Sequence, residues 1–169
     1  MNIKKNFFFS FLVFFFLNNP SNSYANIYYI DLDKLLINTN YGKKIISELE
    51  DENKKNLEFL KKKQDTIKDE ENNIIKLKNV ISQDELNVKI DNLQKKITSF
   101  NEEKQKIIKN FNEIKDIKIK NFFNEVNPII KNYMNDNKIS ILIDKKNVYI
   151  SIKELEITNI IIDLINSKL

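Results

Sequence analysis

Apolar residues recur at a three-four spacing from Tyr41 to Asn135, a span broken by proline only at Pro128 and by glycine only at Gly42. In its N-terminal half the apolar positions are Ile46, Leu49, Leu60, Ile67, Ile74, Leu77 and Ile81. Asn53, Asn56, Lys63 and Glu70 fill the slots between them. In its C-terminal half they are Leu86, Ile90, Leu93, Ile97, Phe100, Ile107, Phe111 and Ile114, with Lys104 in the one polar slot. A repeat of about 3.5 residues held over several heptads predicts helices wound around a partner rather than a globular core.

The partner expected is the chain itself. Between the two halves, Ser82 and Glu85 have the spacing of a capping box, in which hydroxyl and carboxylate satisfy free N–H groups at a helix start. Ile81 and Leu86 flank them as a hydrophobic staple. Asn79 suits a left-handed helix stop. One helix is therefore predicted to end near Lys78 and the next to begin at Gln83, giving an antiparallel hairpin with its turn near 79–85. Pairing outward from the turn sets Leu77 beside Ile90, Ile74 beside Leu93, Glu70 beside Ile97, Ile67 beside Phe100, Lys63 beside Lys104 and Leu60 beside Ile107. The residue numbers of every pair add to 167, the constant that an antiparallel pair requires. Arms of about forty residues would extend roughly 60 Å. One continuous rod is the alternative.

The flanks read differently. Ile27–Ile30 is β-branched and aromatic, a short strand. Asp31 caps a short amphipathic helix over 32–37, which Asn38-Thr39-Asn40 breaks. The second long helix runs on through Phe122, Phe123, Val126, Ile129, Ile130, Tyr133 and Met134, rich enough in large apolar residues to dock into a body. Pro128 is expected to bend it near Val126, and Asn135-Asp136-Asn137 to end it. Lys138–Ile143 alternates like a strand, Asp144–Asn147 is a polar turn, and Val148–Ser151 reads as its hairpin partner. Glu156–Lys168 is helical, with Ile157, Ile160, Ile161, Leu164 and Ile165 on one face.

The fold class expected is thus mainly α. A coiled-coil hairpin over 41–122 joins a small α/β body made by residues 26–40 and 123–169. A body of about sixty residues is marginal alone, and its strand edges need covering. Oligomerising through the strands answers both needs, which makes Ile27, Tyr29, Ile139, Ile141, Ile143, Val148 and Ile150 the candidate assembly surface.

Met1–Ala25 has the form of a cleavable secretory signal. Lys4 and Lys5 precede an apolar run from Phe7 to Leu17, a polar stretch follows, and Ser23-Tyr24-Ala25 supplies small residues for cleavage after Ala25. The run is short of the roughly 20 residues that span a bilayer, although an uncleaved anchor is the alternative. With no cysteine at that site, no lipid attachment is indicated. An exported chain without cysteine has no disulfide framework. Losing Lys4 and Lys5 takes 28 basic residues to 26 against 24 acidic ones, a balance that does not suggest nucleic acid.

Composition also argues against an enzyme. There is no histidine or cysteine to serve as imidazole base or thiol nucleophile. There is no arginine for a bidentate phosphate clamp, and a single glycine makes no phosphate-binding loop. Glu70-Glu71 and Glu102-Glu103 lie on lysine-rich helical faces that read as solvated surface. No cofactor or metal site is expected.

The order signal, strand of the form Ile-Tyr-Tyr-Ile-Asp, short helix, long charged hairpin, Ile-Leu-Ile-Asp strand, Val-Tyr-Ile segment and Ile-Thr-led terminal helix resembles the Skp (OmpH) family of periplasmic chaperones. The resemblance rests chiefly on Ile27–Leu36, Ile139–Asp144 with Val148-Tyr149, and Glu156-Ile157-Thr158. It implies a homotrimer whose hairpin tentacles enclose unfolded outer-membrane proteins on their way to the barrel-assembly machinery at the membrane, without ATP. The chain departs from better-known members in lacking arginine, so the basic lipopolysaccharide site proposed for the family is not carried over.

Apolar residues just off the seam, Phe59, Ile75, Val88, Ile108 and Ile119, are the candidate client contacts; the alternative is that they widen the hairpin's core. From Leu86 to Lys120 there are nine lysines against five acids, a basic arm for acidic clients. Lys63 facing Lys104 would put like charges in one layer and make a hinge there. A structural or adaptor coiled coil that binds a folded envelope partner is the other functional class the sequence allows.

Overall fold

The computed structural model describes residues 25–169, so the signal-peptide reading lies, Ala25 apart, outside the described residues. In chain order the elements are β1 (Ile27–Ile30), α1 (Leu32–Asn38), α2 (Asn40–Leu77), α3 (Gln83–Asp136), β2 (Ile141–Asp144) and α4 (Thr158–Lys168). Short 3-10 turns fall at Lys145–Asn147 and Lys153–Leu155. The 38-residue α2 and 54-residue α3 form the hairpin, and everything else gathers at its base.

The base is built by both chain ends. β1 pairs with β2 in parallel, setting Ile27 beside Ile141 and Ile30 beside Asp144. The long helical excursion between the two strands is the crossover that a parallel pair needs. On the other side of β1, Tyr29 bridges Glu156, and the Ile157 N–H donates to the Tyr29 carbonyl at 3.1 Å. Ile30, Leu35, Ile45, Phe122, Val126, Ile129, Ile130, Ile139, Ile157, Ile161 and Ile165 form one buried cluster. Burying such side chains contributes about 1.5–3 kcal/mol each, which makes this cluster the main source of the body's stability. Tyr41 stacks on Phe122 with ring centroids 5.7 Å apart, and Phe123 meets Phe122 edge-on, so the arms are rooted in this core.

The expected hairpin partner of β2 is not formed: Val148–Ser151 is not a strand. The Asp144 carboxylate accepts the Lys146 N–H at 3.3 Å. The 3-10 turn it caps turns the chain out of the extended conformation straight after β2. Tyr149 and Ile150 are left almost wholly exposed. Among the described residues β2 therefore has a neighbour on one side only.

The two long helices stop where expected, at Leu77 and Asp136, but the left-handed residue lies at the other stop. Asn79 does not adopt a left-handed conformation; the one non-glycine residue with positive φ among those described is Lys138, at 56°. There Ile139 donates to the Met134 carbonyl at 2.9 Å and Lys138 to that of Asn135 at 3.3 Å, a Schellman stop for α3. Buried Ile139 and half-buried Met134 join the same core, and that contact stabilises the stop. α3 also passes through Pro128 without ending. Pro128 lies on the exposed face beside Asn124, so the carbonyl that loses its intrahelical donor is open to water.

The joint between α1 and α2 is the tightest point of the fold. The Thr39 hydroxyl donates to the Leu35 carbonyl at 2.7 Å and accepts the Gly42 N–H at 3.1 Å. It closes one helix and caps the next while fully buried. A Cβ on Gly42 would stand 1.9 Å from the Leu36 carbonyl oxygen and 2.8 Å from the Thr39 hydroxyl. The chain's single glycine is thus required by the close approach of backbone, not by its dihedral freedom.

A polar chain ties the two ends together across the sheet. The Asp31 N–H donates to the Thr158 hydroxyl at 3.0 Å, and that hydroxyl donates to Glu156 at 3.1 Å. Lys145 donates to both Glu156 oxygens, at 3.1 and 3.2 Å. The Lys145 hydrogen bond holds the Glu156 carboxyl below its ordinary range against the opposing effect of burial. The same bond raises Lys145.

Gly42→Ala should cost about 3 kcal/mol, the upper end for forcing extra bulk into a packed site, and lower the melting temperature by on the order of 10 °C. Lys43→Ala, on the exposed face one residue away, should leave it unchanged. Circular dichroism melts decide this. Because Glu156 has a lowered value in the folded state, its contribution is complete above pH 4.5 and disappears as pH falls through that lower value. Glu156→Gln should therefore melt below wild type at pH 7, and the gap should close as the pH is taken down past 4.5.

Candidate client-binding surface of the helical arms

The turn between the arms is short because it is satisfied internally. Val80 and Ile81 donate to the Leu77 carbonyl at 2.8 and 3.1 Å, and the Ser82 hydroxyl accepts the Glu85 N–H at 3.3 Å, opening α3. This is the capping position expected of Ser82; Glu85 takes part through its N–H alone, and its carboxylate makes no return bond to Ser82 among the described residues. Beneath it Ile74, Leu86 and Leu93 form a small buried core, with Ile67, Ile81 and Ile97 packed against it.

The register agrees with the expected pairing where Ile74 and Leu93 share the tip core and Ile67 and Phe100 line one cleft. At the base it is Ile45, not the Ile46 expected in the stripe, that is buried with Phe122. Three ion pairs cross between the arms one position off this seam: Glu48 with Lys118 at 2.5 Å, Glu70 with Lys96 at 2.6 Å, and Lys63 with Glu103. The like-charge layer expected of Lys63 and Lys104 is therefore not what the side chains adopt. Lys63 turns to Glu103, and its ammonium also lies 4.8 Å over the Phe59 ring. The Lys118 hydrogen bond keeps the Glu48 carboxyl below its ordinary value.

Between the two cores the arms are lean. No residue of α2 is buried between Ile45 and Ile74, and none of α3 between Leu93 and Phe122, a stretch of roughly 40 Å. Asn53 and Asn56 occupy seam slots here, so Leu60, Ile107 and Phe111 are covered only in part. Of the five candidate client contacts, Phe59, Ile75, Val88 and Ile108 are exposed, and Ile119 is half-buried.

The structure adds others that the seam pattern missed. Leu57, Ile114 and Ile117 lie open along the lean stretch, while Val80 (77 % exposed) and Ile90 (47 % exposed) lie open near the tip. Ile90 and Ile114 were expected inside the seam. They are exposed because a two-helix ribbon covers one flank only, which a heptad pattern does not reveal. These separately exposed apolar residues are the candidate contact points of the arms.

Of the candidate assembly residues, Ile27, Ile141 and Ile150 are exposed and Ile143 and Val148 half-buried, whereas Tyr29 and Ile139 are buried in the chain's own body. Among the described residues no group of three or more Asp, Glu, His or Cys is placed to hold a metal. No described helix is long and apolar enough to cross a membrane.

Comparison with solved structures finds the same fold in a candidate outer membrane chaperone (OmpH-like) from Caulobacter crescentus CB15. Its TM-score is 0.76 at 17 % sequence identity, with 87 % of each chain covered. No curated protein matches the sequence. The family model for outer membrane protein (OmpH-like) matches residues 26–165, which takes in the strands at both ends, the arms and most of α4. With almost the whole of the described chain covered, the protein belongs to the OmpH-like family.

Proposed function

We propose that this protein is an ATP-independent holdase of the periplasm that keeps unfolded outer-membrane proteins from aggregating between helical arms. The observation that carries the reading is the lean stretch, where apolar side chains stand exposed along roughly 40 Å of helix among charged ones. A holdase needs many weak, non-directional contacts that exchange quickly. Scattered Leu, Ile and Phe side chains with lysines between them supply contacts of that kind, each worth little and together enough to delay association. The shortage of burial in the same stretch leaves the arms free to flex to clients of different size, without requiring the Lys63 and Lys104 repulsion.

Assembly completes the proposal. Among the described residues one side of β2 is unpaired, and Tyr149, Ile150 and Ile152 face solvent. An open edge beside exposed apolar residues is a hazard for a monomer and a ready interface for copies. We assign a homotrimer, the bodies joined through this edge and the arms enclosing a cavity that delivers clients to the barrel-assembly machinery.

A β-barrel protein diluted from urea should stay soluble at near-stoichiometric amounts of the secreted chain, read by light scattering. Replacing Leu57, Phe59 and Ile108 together by serine should raise the amount needed roughly tenfold, as expected for about 1.4 kcal/mol of lost contact. Equal protection by the triple variant, or no protection by wild type, contradicts the reading. Sedimentation should give a trimer, and Tyr149→Asp with Ile150→Asp should give monomers of unchanged helicity; a wild-type monomer contradicts the assembly.

A further inference from the structure

A cleft of about 250 Å³ opens between the arms one layer below the tip core. Its apolar walls are Ile67 and Phe100, one from each arm, and Thr66 and Ser99 line it beside them. The two cross-arm ion pairs frame it, Lys63 with Glu103 at one end and Lys96 with Glu70 at the other. The volume is below the roughly 300 Å³ at which pockets take small molecules, and suits one large side chain.

We propose that this cleft receives an aromatic side chain of an extended client segment, a specificity that rests on the holdase reading above. The charges around the cleft choose the occupant. Two ammoniums and two carboxylates sum to zero, so neither an acidic nor a basic side chain is favoured. They alternate, however: each arm offers one cation and one anion, held at fixed ends by its partner across the seam. An aromatic ring has a negative face and a positive edge, which matches such an alternation, whereas an aliphatic side chain of equal size does not. The Lys63 ammonium already engages a ring face, that of Phe59 at 4.8 Å, so its reach and approach suit a second ring entering beside it. The Ser99 hydroxyl can pair with the backbone of an extended chain or with a tyrosine hydroxyl, while the Thr66 hydroxyl, which donates to the Lys62 carbonyl at 2.9 Å, can still accept from either. The client chemistry agrees, because outer-membrane barrel strands carry girdles of aromatic residues at both interfaces.

The test uses the full mature chain and two fluorescein-labelled ten-residue Gly/Ser peptides, one with two tryptophans and the other with two leucines in their place. Fluorescence anisotropy should show the tryptophan peptide bound about tenfold tighter. Ser99→Phe fills the cleft from α3 and Thr66→Phe fills it from α2; each should abolish the preference, while Asn132→Phe, near the base, should retain it. Lys63→Met with Lys96→Met removes the cations without adding bulk and should bring the tryptophan peptide down to the affinity of the leucine one. Equal binding of the two peptides by wild type, or a preference that survives both filled variants and the double methionine variant, overturns the proposal. A chain that selects tryptophan yet fails to keep a barrel protein soluble overturns the holdase reading alone, and one that protects without selecting overturns the cleft alone.

Discussion

Everything in this molecule depends on two long helices meeting in one register. The seam that joins them is too poor to choose that register by apolar packing alone, since asparagine and lysine fill several of its slots. The cross-arm ion pairs add the choice. Each exposed pair contributes little by itself, but their signs alternate along the arms. Sliding one arm by a heptad sets Lys63 against Lys96 in one direction and Glu70 against Glu103 in the other. The pairs act less as glue than as a penalty on misalignment, the role charged flanking positions play in coiled coils generally.

Fixing the register places two cores at the ends of a weakly held span. The base core draws on both chain ends and both arm roots, and the buried Thr39 hydroxyl and Gly42 set the corner through which α1 feeds α2. The tip core closes the turn. Between them the arms hold together by half-covered residues and ion pairs, so stability and apolar exposure are kept in different places. The client surface proposed for the arms requires that separation. The same logic holds at the body, where the strand edge left open lies opposite the side that Glu156 and Ile157 close.

The helical hairpin was legible because its signals are local and redundant. Ser82 and Glu85 marked the turn, and two independently read apolar stripes agreed on a single pairing constant that the buried layers obey. Sequence also located β1, β2 and the terminal helix to within a few residues. It misled where the outcome depends on partners distant in the chain. Val148–Ser151 has the composition of a strand, but the Asp144 cap turns the chain aside. Ile90 and Ile114 keep heptad spacing yet lie open, because a ribbon of two helices has no third element to cover them. Lys138 ends α3 in a left-handed conformation that its side chain does not advertise. The cleft at Ile67 and Phe100 was invisible for the same reason, being a property of the space between two helices rather than of either one.

The absence of native cysteine makes the register directly measurable. Cysteines placed at Glu70 and Lys96 should be joined within one chain by a short bis-maleimide, whereas cysteines at Glu70 and Asn110, displaced by two heptads or roughly 21 Å along the axis, should not. Failure of the 70–96 pair to join, or joining only between separate chains, would contradict the hairpin and with it the client surface proposed along its arms.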